Sequence, residues 1–592
     1  MHQEHGTPML LHTTNVPALS TDLDRRPPRR VAGWLVLLCL LFFLPGFTSL
    51  PPTDRDESRF AQASRQMWQS GDWVTIRFQD DERNRKPAGV YWLQAASARI
   101  LAPFAGEQAI WPYRIPSLLG AIAAVLLTYQ LGQRLFSRPV AALSALFLAS
   151  SVLLGVEARL AKTDAVLLAV IVLAQGCLAR LYLDPKNKPS PIFWAVLFWI
   201  AQGLGILIKG PIICAISGLT VAWLTITDDN RRWLRSLRPG WGLLIVAGLV
   251  LPWIIAISIA TEGRFVRDAL LGDLLAKVPS GQESHGAAPG SYLLSFALTF
   301  WPASLFALVA TPWVWRSRND PAVRFCIAWL LPTWLMLELV ATKLPHYILP
   351  VFPAASLLVA AALASPKGTW QAAAPGARVL AGAFGAFGGS ALIALCVAIP
   401  WHLGFGIPVA SLFTVATVIL GSLAIVYALK DSDGRRLFRW TSVTAIAFAM
   451  SFYLGLLPRL TPLWISPRIA ESLQAHELAS DRVTAVGYHE PSLVFLLGRS
   501  TQLAASTEAA AKLLGNGNAK VALIPRQDAQ KFLELLKERG LGATWWDEIR
   551  GFNYNGGDWM DLAILALDRP NHVHASGLSH DNAETNHARQ SP

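Results

Sequence analysis

The sequence predicts a multi-span α-helical membrane protein that ends in a small α/β domain. Three observations carry this. Mean hydropathy is +0.38. Only 15% of the 592 residues are charged, against about 25% in soluble domains. Apolar runs long enough to cross a hydrocarbon core, roughly 17–25 residues, recur up to about residue 457 and then give way to short strand-like and amphipathic stretches.

The net charge of +12 comes from 51 basic and 39 acidic residues. The basic residues form no single patch, which argues against a nucleic-acid partner. They fall in short loops between apolar runs, where they report topology. Five cysteines, at positions 39, 177, 214, 326 and 396, lie in apolar surroundings without CxxC spacing and read as small buried hydrophobes. Trp111, Trp253, Trp301 and Trp401 lie near run ends, as interface anchors do.

Residues 1–30 form a polar tail ending in Arg25-Arg26-Pro27-Pro28-Arg29-Arg30. The run that follows is long, lacks an A-x-A site and precedes further runs, so it reads as a retained anchor. Thirteen spans are expected, at 31–50, 112–133, 139–156, 163–183, 191–207, 209–227, 240–260, 291–312, 322–341, 346–364, 376–399, 408–429 and 438–457. Lys209-Gly210-Pro211 reads as a tight turn or a broken helix. Positive-inside statistics place Arg134, Arg138, Lys186, Lys188, Arg231, Arg232, Arg235, Arg238, Arg316, Arg318, Lys367, Lys430, Arg435 and Arg436 in the cytoplasm. The loops 51–111 and 261–290, and everything after 457, then lie outside.

In loop 51–111, Phe60, Ala63 and Met67 share one side of a helix over 58–70, punctuated by Gly71-Asp72. Residues 89–104 suit an amphipathic helix along the membrane surface. Loop 261–290 is rich in Gly, Ser and charge and reads as mobile. Residues 458–570 form the outer α/β domain, with strands at 483–486, 520–524 and 560–566 and helices at 509–514 and 528–538. The His-, Asn-, Asp- and Ser-rich segment 571–592 reads as a disordered tail.

Polar groups gather at the outer ends of the spans, where they are expensive unless they face a cavity. The first span runs into Pro51-Pro52-Thr53-Asp54-Arg55-Asp56-Glu57-Ser58-Arg59. Asp56 is the candidate acid, kept ionised by Arg55 and Arg59; the plain alternative is a helix start capped by Thr53 or Asp54. Asp80-Asp81-Glu82-Arg83-Asn84-Arg85-Lys86-Pro87 offers Arg85 and Lys86 to a phosphate ester, or is an ordinary surface loop. Lys209 either snorkels to the interface or reaches a lipid phosphate. Arg159, Lys162 and Asp164, then Lys343, His346 and Tyr347, fall at the same face.

Five separated segments converging on one face suit a lipid-linked phosphate. Cations would orient it and stabilise the leaving group, while the acid acts on an incoming hydroxyl. No GxxxxGK[ST] run or dinucleotide fingerprint is present. The alternative from another class is a polytopic lipid or sugar transporter, which inverted repeats would mark; no internal symmetry is found.

Six pieces carry a family resemblance: Asp56-Glu57-Ser58-Arg59-Phe60-Ala61, Gly71-Asp72-Trp73-Val74, Lys86-Pro87 with Tyr91-Trp92, Lys209-Gly210-Pro211, Lys343-Leu344-Pro345-His346-Tyr347 and Glu490-Pro491-Ser492-Leu493. The membrane portion, 31–457, resembles the aminoarabinose transferase (ArnT-like) and protein-mannosyltransferase superfamily of integral-membrane glycosyltransferases. The nearest pattern is the bacterial lipid A aminoarabinose transferase group. The resemblance implies a GT-C fold in the bacterial inner membrane, with a periplasmic soluble domain and an active site facing the periplasm. It implies an undecaprenyl-phosphate sugar as donor, inversion at the anomeric carbon, and lipid A, lipopolysaccharide or another envelope molecule as acceptor. A protein acceptor, as in O-mannosyltransferases, is the second reading.

By the same resemblance Asp56 is the pocket acid and Asp164 an acid beside it. Lys86, Lys209 and Tyr347 match positions of the lipid phosphate, with Arg85 and Lys343 as neighbouring cations. Glu57, Arg59, Glu82, Arg159 and His346 are candidate substrate or loop contacts. His285 resembles a loop histidine near the site where some relatives place a divalent metal; no cofactor is required. Where the family pattern has a carboxylate directly before Lys-Pro, this chain has Arg85. The sugar and the acceptor therefore stay open.

Overall fold

The structure, a computed structural model, describes residues 28–106, 108–183, 190–269, 287–366, 370–431, 433–478 and 482–568. His285, Lys186, Lys188, Lys367 and the segment 571–592 lie outside the described residues, as does most of the 1–30 tail. The chain divides into two compact units, Met1–Thr461 and Pro462–Pro592.

In the first unit each of the thirteen expected segments coincides with helix, but the number of full crossings is lower. Among the described residues nine helices are long and apolar enough to span a membrane, or ten if the pair Ser291–Thr299 and Ser304–Arg316, bent by 120°, counts as one span. The other three segments are shorter helices: Pro28–Phe43, Arg138–Ser150 and Ile212–Thr227.

Each break has an identifiable cause. The first helix stops before Pro45-Gly46; Gly46 has φ 78°, and a Cβ there would meet the Tyr453 carbonyl oxygen at 2.7 Å. The 139–156 segment breaks at Ser151, whose backbone is extended, and the Val152 N–H donates to the Trp301 carbonyl at 3.2 Å. At Lys209-Gly210-Pro211 the chain makes a tight turn. Helix Pro191–Lys209 closes on Gly210, φ 90°, whose N–H donates to Ile206 at 2.8 Å. The bend at 300–303 contains Pro302, which lacks a backbone donor.

Helix Asp164–Leu183 packs between Trp111–Leu135 and Pro191–Lys209. A Cβ on Gly120 would lie 2.8 Å from the Val166 backbone, so glycine lets these helices approach closely, as small residues do in membranes.

The 51–111 loop is folded. Helix Asp56–Ser70 opens on two acids, which favour its positive N-terminal end, and closes on Gly71 at φ 74°. Its cap position is Arg55, which makes no side-chain cap hydrogen bond, so the cap residue is neither Thr53 nor Asp54. A hairpin of β1 (Arg77–Phe78) and β2 (Asp81–Glu82) leads to helix Gly89–Ala105. Phe60, Ala63 and Met67 are buried with Ile76, Tyr91, Leu207 and Trp253, which fastens this loop to the membrane helices.

The second unit carries a five-stranded sheet of β3 (Val483–Val486), β4 (Gln502–Ala504), β5 (Val521–Pro525), β6 (Ala543–Asn553) and β7 (Asp558–Leu567). Their order is β4-β3-β5-β7-β6. β3 pairs in parallel with β4 and β5; β7 pairs antiparallel with β5 and β6. Helices Thr507–Gly515 and Arg526–Glu538 cover the apolar faces of Ala522, Ile524, Ala563 and Leu565.

Candidate active site

Two neighbouring acids open the helix that follows the first apolar segment, and they do different work. Arg55, just before them, holds φ 60°, a costly conformation for a side-chain-bearing residue. Glu57 turns inward. Its carboxylate accepts from Arg114 Nε at 2.7 Å and from the second guanidinium arm at 3.0 Å, and neither side chain is exposed. It also accepts from the Thr53 N–H and hydroxyl, both at 2.9 Å, and from the Ala161 N–H at 3.0 Å. Burial opposes ionisation of Glu57, but Arg114 and these donors outweigh it and hold the carboxyl below the usual glutamate range.

Arg114 meanwhile grips the carbonyls of Phe47, Leu50 and Pro51 at 2.8–2.9 Å. The pair therefore ties the chain leaving the first helix to the 157–164 loop. Asp56 turns outward: its side chain is 48% exposed, and the Arg83 guanidinium lies 3.9 Å from its carboxylate. Breaking a buried pair by removing one partner costs about 3–5 kcal/mol. Glu57→Ala is therefore expected to lower the thermal denaturation midpoint of the purified protein sharply. Glu57→Gln, which keeps an acceptor oxygen, should lower it less; equal midpoints for wild type and Glu57→Ala would remove the structural role.

The 157–164 loop brings a second set of charges. Lys162 Nζ lies 3.1 Å from Glu157 Oε1, and Ser117 donates to the Lys162 carbonyl at 3.2 Å. Lys162 is within electrostatic reach of Asp164 and Asp56 as well. Lys209 Nζ lies 2.5 Å from Asp164 Oδ1 and 5.3 Å from the centre of the Tyr347 ring. His346 sets its ring edge-on to Tyr347 at 4.8 Å and lies within electrostatic reach of Lys162, Asp164, Lys209 and Lys86. Asp164, Lys209, His346 and Tyr347 thus form one cluster, which Lys162 extends to Asp56 and His346 extends to Lys86.

Other expected residues sit elsewhere. Arg159 is fully buried. It donates to the carbonyls of Phe42, Pro45 (2.7 Å) and Gly155 and stacks on Tyr453 at 3.7 Å. This is a structural staple, not a substrate contact: the guanidinium satisfies carbonyls left open at helix ends. Lys343 donates to the Glu338 and Val340 carbonyls, both at 2.7 Å, and so caps the end of helix Pro321–Leu339. Arg85 is exposed and lines a cleft with Arg59, Glu82 and Arg83. Arg264 holds the carboxyl of Glu82, one of the lining residues, below its usual range.

Sequence reasoning missed Arg114 and Glu157. The available signal was a lone charge inside or beside an apolar run, which demands a partner. Among the described residues no group of three or more His, Cys, Asp or Glu is arranged to hold a metal ion. His285 lies outside the described residues.

The model of a dolichyl-phosphate-mannose-protein mannosyltransferase family matches residues 85–255. The undecaprenyl phosphate-α-4-amino-4-deoxy-L-arabinose arabinosyl transferase of Edwardsiella ictaluri is 28% identical over 450 residues, covering 71% of this chain and 76% of that protein. Its counterpart in Pseudomonas paraeruginosa is 30% identical over 344 residues, 57% of this chain and 60% of that protein. The crystal structure of ArnT from Cupriavidus metallidurans bound to undecaprenyl phosphate is 20% identical, with a TM-score of 0.70 over 90% of this chain and 98% of that one. That likeness shows the same fold. The chain is thus similar in sequence to these arabinosyl transferases over much of its length and has the fold of the Cupriavidus protein.

Proposed function

We propose that this multi-pass protein transfers a sugar from an undecaprenyl-phosphate donor to lipid A or another envelope acceptor, at the periplasmic face of the bacterial inner membrane. The observation that carries this reading is an outward-facing carboxylate, Asp56, in one electrostatic network with Lys86, Lys162 and Lys209. The acceptor hydroxyl gives its proton to Asp56 as its oxygen attacks the anomeric carbon. The bond from that carbon to the phosphate oxygen breaks, and the electron pair leaves with undecaprenyl phosphate. Lys209 and Lys86 meet the charge that grows there. Attack opposite the leaving group inverts the anomeric carbon.

The test is to incubate the purified protein in lipid vesicles with an undecaprenyl-phosphate-linked sugar and lipid A, then read the acceptor by mass spectrometry. A gain of one sugar mass supports the reading. A gain on a hydroxyl-bearing peptide instead would favour the protein-acceptor alternative, to which the mannosyltransferase family match points. The donor is already activated, so we take the transfer to run without a resident metal. Chelator-treated protein is expected to keep its rate; a loss reversed by a divalent cation would place a metal in the mechanism.

A further inference from the structure

We infer that the turn between helices Ile212–Thr227 and Pro239–Ala260 binds the phosphate of an anionic membrane phospholipid through Arg231, Arg232, Arg235 and Arg238.

The turn is a 3₁₀ helix, Arg232–Leu237, with Arg231 and Arg238 at its two cap positions. Side chains three apart eclipse in such a helix, about 6 Å apart along its axis, so Arg232 and Arg235 share one edge. Apolar residues fix the turn to the membrane helices. Trp233 is 1% exposed and sets its ring edge-on to Tyr182 at 5.5 Å. Leu237 is buried, and its carbonyl accepts from Trp199 Nε1 at 2.7 Å. Arg238 closes the turn at φ 48°, a left-handed conformation that a side-chain-bearing residue rarely adopts.

All four arginines are exposed, and among the described residues none of them makes an ion pair. Positive-inside topology does not require this arrangement, because it depends on how many charges a loop carries and not on where they sit. Other arginines of these loops are neutralised locally: Arg324 pairs with Asp228 at 2.8 Å, and Arg436 with Asp431 at 2.5 Å. Asp228 also accepts from the Tyr182 hydroxyl at 2.5 Å. That leaves Asp229 as the remaining acid beside four arginines. Like charges held on one short turn repel, and an anion among them relieves the repulsion.

The adjoining surface is apolar. Helix Pro239–Ala260 starts directly after Arg238, and only 11% of its apolar window is buried. Trp241, Leu243 and Leu244, in its first turns, are 62–71% exposed. An aromatic ring at a span end marks the headgroup level. Guanidinium groups pair with phosphate oxygens in twos, and basic clusters just past a span recognise anionic headgroups. A phosphate that carries acyl chains matches both the cations and the bare helix beside them; a free phosphate matches the cations alone.

The test uses the full-length protein, stripped of lipid in a neutral detergent. It is titrated with phosphatidylglycerol, with zwitterionic phosphatidylethanolamine and with inorganic phosphate, and native mass spectrometry reads the tightest lipid site. Phosphatidylglycerol is expected to bind about 10-fold more tightly than phosphatidylethanolamine. Arg232→Gln with Arg235→Gln should weaken its binding about 10- to 30-fold, and Arg232→Lys with Arg235→Lys should retain most of it. Arg235→Gln alone, expected to weaken binding about 5-fold, gives the same reading if the double variant does not fold. Arg316→Gln with Arg318→Gln removes the same charge from another short loop and should leave binding unchanged. An equal loss in both double glutamine variants would reduce the turn to diffuse surface charge and overturn the inference. Equal binding of the two lipids would overturn it as well. So would displacement of the lipid by inorganic phosphate at matching concentration, which would assign the turn to a soluble anion.

Discussion

Asp56→Asn is expected to lower sugar transfer by about 10²- to 10⁴-fold, the range for loss of a general base, while leaving the protein folded and inserted. The two halves of that expectation come from the same geometry. The Asp56 side chain is half exposed and its ion pair with Arg83 is long, at 3.9 Å. A pair of that kind contributes little to stability. Asparagine keeps the size and removes the basic oxygen. Single-turnover transfer by the purified variant reads the first effect, and its thermal midpoint reads the second. Wild-type turnover would remove Asp56 from the chemistry. A midpoint as low as that of Glu57→Ala would show that Asp56 acts through the fold.

Much of this architecture was legible before any coordinates, because hydropathy alone locates segments that must satisfy their backbone internally. All thirteen expected segments lie on helix, yet three are short and one is bent. Two of the breaks involve tertiary contacts: the Tyr453 carbonyl against Gly46, and the Trp301 carbonyl that takes the Val152 N–H. Neither contact leaves a local trace in sequence. In the second unit β3 matches the expected run 483–486, whereas β6 escaped notice. Its residues Ala543–Asn553 are mostly exposed or half-buried and carry charge, as edge strands do.

The candidate site divides along a similar line. A charge near a span end has three possible tasks: facing a cavity, pairing with another charge, or satisfying open carbonyls. Sequence spacing does not distinguish them. Asp56 and Glu57 are adjacent in the chain, and only the position of Arg114 separates their roles. The sequence offers Arg159 as a substrate or loop contact and Lys343 as a cation for the donor phosphate, whereas both donate to backbone carbonyls at helix ends. The pairing of Lys209 with Asp164 joins residues 45 positions apart. The sequence places both at one membrane face, and the fold makes the contact.

Lys209→Ala should produce the other large loss, about 10²- to 10³-fold in kcat, by analogy with removing one charge-stabilising donor from a preorganised site. The donor phosphate is a diester with one negative charge, and the departing undecaprenyl phosphate is a monoester that gains more. A cation beside it therefore binds the transition state more tightly than the ground state, so kcat should fall with little change in the donor's KM. A rise in KM at constant kcat would limit Lys209 to holding the donor. Removing Lys209 also strands Asp164, whose side chain is 6% exposed and whose carboxylate sits 2.5 Å from Nζ. Part of the damage in the single variant is thus an unpaired buried charge. The double variant Lys209→Met with Asp164→Asn separates the two effects. It should recover the thermal midpoint lost in Lys209→Ala, because no buried charge is left alone, and it should not recover kcat, because Lys86 alone is left to meet the charge on the leaving phosphate. Recovery of both would reduce Lys209 to a counter-ion for Asp164.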